Sequence, residues 1–169
     1  EGIDDRPSRT ALLEELRTRL GPGTEDLLRG LPEPELRYLH ACPGLVHRYN
    51  ESRRGRFLFE WEMSAPERGA STAAEIDRFA PIAWTGCRAL DAGCGDGGLL
   101  VALARRGALA HGIDLEPSNV AGARLRASAW RVAVHVVYGS IVELPFRSNS
   151  MSLVTCSDVI EHVKARREA

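Results

Sequence analysis

Three glycines and two aspartates form the part of the chain whose residue types and spacing could do chemistry. Gly93, Gly95 and Gly98 have the Gly-x-Gly-x-x-Gly spacing of loops that bind dinucleotides. Asp114, at the end of the next predicted strand, is placed to accept hydrogen bonds from ribose hydroxyls. Asp91 places a carboxylate at the carboxyl end of a strand, where ligands of parallel sheets bind. Because this carboxylate suits an ammonium group and repels a pyrophosphate, the sequence favours a nucleoside that carries a cation.

The elements that must position these residues alternate between strand and helix from residue 86 onward. Apolar segments predict strands over 87–91, 108–114, 132–138 and 152–156, and helices over 99–106 and 117–128. This alternation is typical of βαβ units around a parallel sheet. We therefore predict that residues 86–169 form an α/β domain.

Four motifs of this segment, taken together, resemble a known family. They are Leu-Asp-Ala-Gly-Cys-Gly-Asp-Gly (90–97), His-Gly-Ile-Asp (111–114), Glu-Leu-Pro-Phe (143–146) and Ser-Asp-Val-Ile-Glu-His-Val (157–163). In this order they look like class I S-adenosylmethionine-dependent methyltransferases, of the small-molecule type with Glu-His-Val after strand four. The resemblance implies a Rossmann-like, doubly wound parallel sheet of methyltransferase type, S-adenosyl-L-methionine as cofactor, and a small-molecule acceptor methylated at O, N or C.

The resemblance also implies which residues contact the cofactor: Asp91, Gly93, Cys94, Gly95, Gly97, Asp114, Leu115, Ser140, Ile141 and Ser157. The glycines would lie under the methionine part, where a missing β-carbon lets the backbone approach closely. Asp114 would hold both ribose hydroxyls, Leu115 would cover the adenine, and Ser140 and Ile141 would line its edge and other face. Ser157 lies where relatives use backbone carbonyls to meet the methionine ammonium. At Ser140 many relatives carry aspartate, so adenine recognition here lacks charge assistance unless Glu143 helps.

The catalytic candidates follow strand four. His162 can accept a proton from a hydroxyl near neutral pH, and Asp158 is a second candidate. A base is optional because the methyl sulfonium is already activated, and His162 could instead pack or cap the turn in which it lies.

Alternative functions use the same residues. Asp158, Glu161 and His162 are similar to a segment that supplies metal ligands in small-RNA 2′-O-methyltransferases, which would make the chemistry magnesium-assisted. The glycine spacing also fits an NAD(P)-binding oxidoreductase, which Asp91 argues against, and a catalytically inactive scaffold would bind the cofactor without turning it over. Our preferred interpretation includes no metal ion.

Residues 1–85 are predicted to form a mainly helical accessory region. Leucines on one face predict a helix over 10–20, and a shorter helix is expected over 34–41. Capping-box spacing from Thr72 predicts a helix over 72–80.

An arginine-rich segment with aromatic neighbours lies within this accessory region. The period-2 alternation of Phe57, Phe59 and Trp61 predicts a short strand. If residues 1–85 cover the cofactor cleft as a lid, Tyr49, Arg53, Phe57 and Trp61 are the candidates for contact with the acceptor.

Composition excludes several classes of protein. The net charge of −1 supplies no cation excess for nucleic acid, and no apolar stretch has the length of a membrane span. The cysteines include no Cys-x-x-Cys pair, so we expect reduced thiols. Because the sequence has neither a membrane-span stretch nor signal-peptide character at its start, we expect a cytoplasmic location. The family sheet has seven strands, so we expect C-terminal strands to be missing from this sequence.

Overall fold

The structure is a computed structural model that describes residues 6–163. The chain separates into two compact units, Glu1–Met63 and Ser64–Ala169. Within the described residues we find no helix with both the length and the apolar character that a membrane span requires.

The described part of the first unit consists of helices. They are α1 Arg9–Leu20, α2 Glu25–Gly30, α3 Glu33–Ala41, α4 Pro43–Glu51 and α5 Arg53–Met63. The predicted helices over 10–20 and 34–41 are confirmed as α1 and α3. Leu12, Leu16 and Leu20 of α1 are buried, as expected for an apolar stripe with a repeat of about four residues.

The predicted strand at Phe57–Trp61 is wrong, because this segment lies in helix α5. Gly55, Phe59 and Met63 are buried and lie four residues apart, which places them on one side of a helix. Phe57 is 63% exposed and Trp61 is 50% exposed. The three aromatic residues therefore do not share one face, as a strand would require.

The second unit contains a parallel sheet. Its elements are α6 Ala65–Phe79, β1 Arg88–Ala92, α7 Gly98–Arg105, β2 Leu109–Asp114, α8 Pro117–Ala129, β3 Val134–Tyr138, β4 Leu153–Thr155 and a 3₁₀ turn Ile160–His162. The strand order is β3-β2-β1-β4, and every pair is parallel. The predicted α/β fold with a parallel sheet is confirmed. The order reverses direction between β1 and β4, which is where parallel sheets of this kind bind ligands.

Helix α6 starts seven residues before the predicted start at Thr72, with Ala65 as its first residue. It packs closely on the beginning of α7, since a β-carbon on Gly69 would lie 2.5 Å from the carbonyl oxygen of Gly98. Helix α6 therefore belongs to the compact unit that contains the sheet. The sequence instead predicts it as part of the accessory region over 1–85.

Different parts of the chain pack on the two faces of the sheet. Ala89, Ala110 and Val136 form one core with apolar residues of α6, α7 and α8. On the other face, Leu90, Ala92 and Ile113 pack with residues of the segment 137–156. The alternation of side chains along each strand explains this division. The helices thus support the sheet from one side, and the carboxyl ends of β1, β2 and β4 meet at one edge.

Candidate active site

A glycine loop connects β1 to α7 and is anchored to the neighbouring strand. The amides of Gly93 and Cys94 both donate to the carbonyl oxygen of Ile113 in β2, at 2.8 and 3.0 Å. Gly93, Gly95 and Gly97 have φ angles of +83°, +52° and +83°. Residues with a β-carbon adopt these angles at a cost, so the alternate glycines allow the loop to turn tightly.

The three loop glycines have different surroundings. A β-carbon on Gly93 would lie 2.2 Å from Cγ2 of Val159, and one on Gly97 would lie 2.8 Å from Cβ of Ala123. A β-carbon on Gly95 would have no described atom within 4 Å. Protein side chains therefore occupy the space beside Gly93 and Gly97. At Gly95 the loop faces open space, where a ligand can approach the backbone.

Asp114, at the end of β2, is buried and accepts three hydrogen bonds. Its Oδ2 accepts from the Gly95 amide at 2.8 Å. Its Oδ1 accepts from the Glu116 amide at 2.9 Å and from Nδ2 of Asn119 at 3.1 Å. The carboxylate thus ties the glycine loop to the beginning of α8. A ribose contact would be additional to this structural role.

Asp91, at the end of β1, is only 6% exposed. Oγ1 of Thr155 lies 2.8 Å from its Oδ1 and donates to it. Burial raises the pKa of the Asp91 carboxyl to about 6, the Thr155 hydroxyl opposes that rise, and the charge of Asp114 adds to it. A buried carboxylate with a raised pKa at a strand end is a candidate for binding a cation.

An ion pair between α8 and the glycine loop also holds the loop in place. Arg126 of α8 is fully buried, donates to the Asp96 carbonyl oxygen at 2.8 Å, and forms an ion pair with the Asp96 carboxylate. Burial lowers the pKa of Arg68 on α6, and the charges of Asp96 and Asp158 oppose that shift. Thr155, Arg126 and Arg68 are not among the site residues predicted from the sequence.

The segment after β4 lies beside the glycine loop, through the approach of Val159 to Gly93. Ser157 and Asp158 are exposed, and Asp158 has a φ of +55°. His162 is exposed at the end of the 3₁₀ turn, where its amide donates to the Val159 carbonyl oxygen. The structure thus places Val159, which directly follows Ser157 and Asp158, next to the loop. The catalytic roles of Asp158 and His162 stay predictions.

The residues predicted to surround an adenine follow β2 and β3. Leu115 is 65% exposed directly after Asp114. The side chain of Ile141 packs on the core of Leu90, Ala92 and Ile113, and Oγ of Ser140 accepts from the Val142 amide at 3.3 Å.

The Cys94 thiol lies on the buried side of the loop. A β-carbon on Gly112 would lie 2.8 Å from its sulfur atom, and burial raises the pKa of this thiol. The Cys94 side chain is therefore part of the core and is not presented to a ligand.

Comparisons with known proteins agree with this geometry. Residues 90–169 match the family model of a methyltransferase domain. Ubiquinone biosynthesis O-methyltransferase from Xanthomonas campestris pv. campestris (strain B100) is 36% identical over 107 residues, which cover 61% of this chain and 45% of that protein. The protein of the same name from Methylocella silvestris is 38% identical over 87 residues, covering 52% of this chain and 34% of that protein. The aligned parts thus span less than half of these curated relatives.

Solved structures establish the fold of the sheet unit. Magnesium protoporphyrin IX methyltransferase from Synechocystis PCC 6803 with bound SAH aligns with a TM-score of 0.53 at 23% identity, over 69% of this chain and 52% of that chain. The YcgJ protein from Bacillus subtilis aligns with a TM-score of 0.54 at 23% identity, over 60% of this chain and 42% of that chain. The fold is therefore the Rossmann-like fold of methyltransferases.

Among residues 6–163, no three His, Cys, Asp or Glu side chains come together as a metal site.

Proposed function

We propose that this chain binds S-adenosylmethionine at the carboxyl ends of β1 and β2 and contributes to methyl transfer to a small-molecule acceptor. The observation that carries this proposal is the buried Asp91 carboxylate beside a glycine loop that is open at Gly95. A dinucleotide pyrophosphate would bring negative charge to this carboxylate, whereas the methionine part of S-adenosylmethionine brings an ammonium group.

In this proposal, each part of the cofactor has a partner among the described residues. The ammonium lies against Asp91, and the open space at Gly95 receives the methionine part. The ribose hydroxyls donate to the Asp114 carboxylate, whose two oxygens already accept from the loop and from α8. Leu115, with 65% of its surface exposed, covers one face of the adenine, and Ile141 lines the other.

The cofactor supplies a methyl group bonded to a positively charged sulfur, which is already activated for transfer. The residues of this chain therefore need only to bind the cofactor, orient it towards the acceptor and exclude water. Loop anchors at Ile113, Asp114 and Arg126 hold the binding surface fixed before the ligand arrives. His162 is the candidate to accept a proton from an acceptor hydroxyl.

A small molecule with a hydroxyl group is the acceptor class that we propose. The relatives from Xanthomonas and Methylocella are named as O-methyltransferases of ubiquinone biosynthesis. The Glu161-His162-Val163 sequence resembles the same type of enzyme. The net charge of −1 gives the chain no general attraction for nucleic acid phosphates.

Calorimetric titration of S-adenosylhomocysteine into the folded chain at pH 7.5 tests the cofactor assignment. We expect saturable binding that is lost in Asp91→Asn and Asp114→Asn. Asp26→Asn, at a position whose side chain is 97% exposed in the first unit, is the matched control and should bind as the parent does. Binding of NADH instead would favour the oxidoreductase alternative and contradict the proposal.

A further inference from the structure

We propose that Thr155 is a positioning residue that keeps the Asp91 carboxylate ionised and oriented towards the ammonium group of the cofactor. This inference rests on the proposed function and adds a residue of β4 to its site. It is independent of the glycine motif, because Thr155 lies on a different strand from Asp91 and far from it in the sequence.

The geometry of the sheet brings the two side chains together. Asp91 and Thr155 are register partners in the parallel pair of β1 and β4. The Thr155 hydroxyl lies 2.8 Å from Oδ1 of Asp91 and 3.3 Å from the carbonyl oxygen of Leu90. A hydroxyl has one proton to donate, and the shorter contact to a charged acceptor is the stronger of the two.

This hydrogen bond leaves the other carboxylate oxygen to a ligand. Within residues 6–163, Oδ2 of Asp91 accepts no hydrogen bond from the protein. The pair also lies where the strand order reverses, between β1 and β4, which is where ligands of parallel sheets bind. Thr155 thus fixes one oxygen, and the second has no protein donor among the described residues.

The surroundings of Asp91 make the hydroxyl important for charge. Asp91 is buried, the negative charge of Asp114 on β2 acts on it, and both disfavour its ionised form. Cys94 on the loop and Cys156 after β4 lie close enough to be affected by its charge, and the pKa of each thiol is raised, so both stay neutral. Burial and the Asp114 charge raise the pKa of Asp91, and the Thr155 hydroxyl acts against them in favour of the carboxylate.

The test is the pH dependence of S-adenosylhomocysteine binding, measured by calorimetry between pH 5 and 10.5. In the parent, affinity should fall below about pH 6, where Asp91 gains a proton. In Thr155→Val, which keeps the shape and removes the hydroxyl, this acid limb should move about one to two pH units higher. Thr155→Ser keeps the hydroxyl and should follow the parent. The alkaline limb, where the ligand ammonium loses its proton, should not move in either variant.

A merely structural role predicts a different result. Loss of packing would lower the affinity of Thr155→Val by the same factor at every pH, and this outcome would overturn the inference. Circular dichroism checks that Thr155→Val is folded, and Thr155→Ala provides a second variant without the hydroxyl.

The ligand-free chain separates this inference from the proposed function. A titration of the Asp91 carboxyl carbon by NMR should give a higher pKa in Thr155→Val than in the parent. An unchanged pKa would refute the role of Thr155 even if the parent binds the ligand. A raised pKa in a chain that does not bind S-adenosylhomocysteine would uphold the role and refute the cofactor assignment.

Discussion

The amide of Gly95 donates to Oδ2 of Asp114, and the two atoms are 2.8 Å apart. This bond joins the open position of the glycine loop to the end of β2. The same carboxylate also accepts from the Glu116 amide at the beginning of α8. Loop, strand and helix are therefore held by one side chain, and the proposed ribose contact would use a group that the fold has already fixed.

Asp114→Asn should weaken both the fold and the ligand site. The amide nitrogen of asparagine must face either the Gly95 amide or the Glu116 amide, and a donor then faces a donor. We expect a loss of about 1–3 kcal/mol in the free energy of unfolding, measured by urea denaturation. Glu116→Gln, at an exposed neighbouring position, is the control and should change stability by less than about 0.5 kcal/mol. Equal stability of the two variants would contradict the anchoring role.

Asp91→Asn should stabilise the folded chain at neutral pH. The pKa of Asp91 is raised from 3.8 to about 6 in the folded state, so folding favours the protonated carboxyl. The free energy of unfolding should therefore fall as pH rises from about 4 to about 6, by about 3 kcal/mol. Asp91→Asn has no carboxyl at this position, so its free energy of unfolding should not fall in this way.

The difference between the two proteins isolates the contribution of Asp91. Urea denaturation of the parent and of Asp91→Asn at pH 4.5, 5.5 and 7 should give a gap that widens with pH. A gap that is constant across this range would contradict the burial argument.

Gly93→Ala should destabilise the sheet unit for two reasons. The φ of +83° is strained for alanine, and the new methyl group would lie 2.2 Å from Cγ2 of Val159. Gly86→Ala is the control, because Gly86 lies in the same unit with a φ of +77° and no described atom within 4 Å of its β-carbon position. Gly93→Ala should cost more in thermal stability than Gly86→Ala. Adding Val159→Ala should recover part of that difference, and no recovery would refute the contact.

Arg126→Met should cost about 3 kcal/mol or more in unfolding free energy, because it leaves the Asp96 carboxylate without its partner. The double variant Asp96→Asn with Arg126→Met removes both charges and should be less destabilised than Arg126→Met alone. Arg29→Met, at a side chain that is 69% exposed, is the control and should have little effect. If the double variant is the least stable of the three, the ion pair is not what Arg126 contributes.

Helix α5 predicts unequal roles for its aromatic residues. Phe59→Ala should cost about 3–5 kcal/mol, because Phe59 is fully buried. Phe57→Ala should cost far less, since Phe57 is 63% exposed. A strand with both residues on one face would give similar losses, so chemical denaturation of the two variants separates the two structures.

The sheet was predictable from the sequence because its signals are local. Each of the four strands is a short apolar segment, and the bounds of the structure differ from the predicted bounds by at most two residues. The segment at Phe57 was not predictable in this way, because three aromatic residues at alternate positions fit a strand as well as a helix. Burial of Gly55 and Met63, which depends on the neighbouring helices, decides for the helix.

The candidate site was predictable only where one motif contains it. Asp91 and the loop glycines lie within eight residues. Thr155 and Arg126 contribute through pairing of strands and packing of helices, which bring distant positions together. One signal was present for Thr155, since it lies in the predicted strand over 152–156 and a threonine hydroxyl can hydrogen-bond an acid on a neighbouring strand.

The most direct test of the central claim is a heteronuclear NMR titration of the ¹⁵N-labelled chain with S-adenosylhomocysteine at pH 7.5. We expect saturable shifts of the Gly95 and Leu115 amide signals in the parent, and no saturable shift in Asp91→Asn. A folded parent in which S-adenosylhomocysteine leaves these two signals unmoved, or in which only NADH moves them, would contradict the proposed cofactor site.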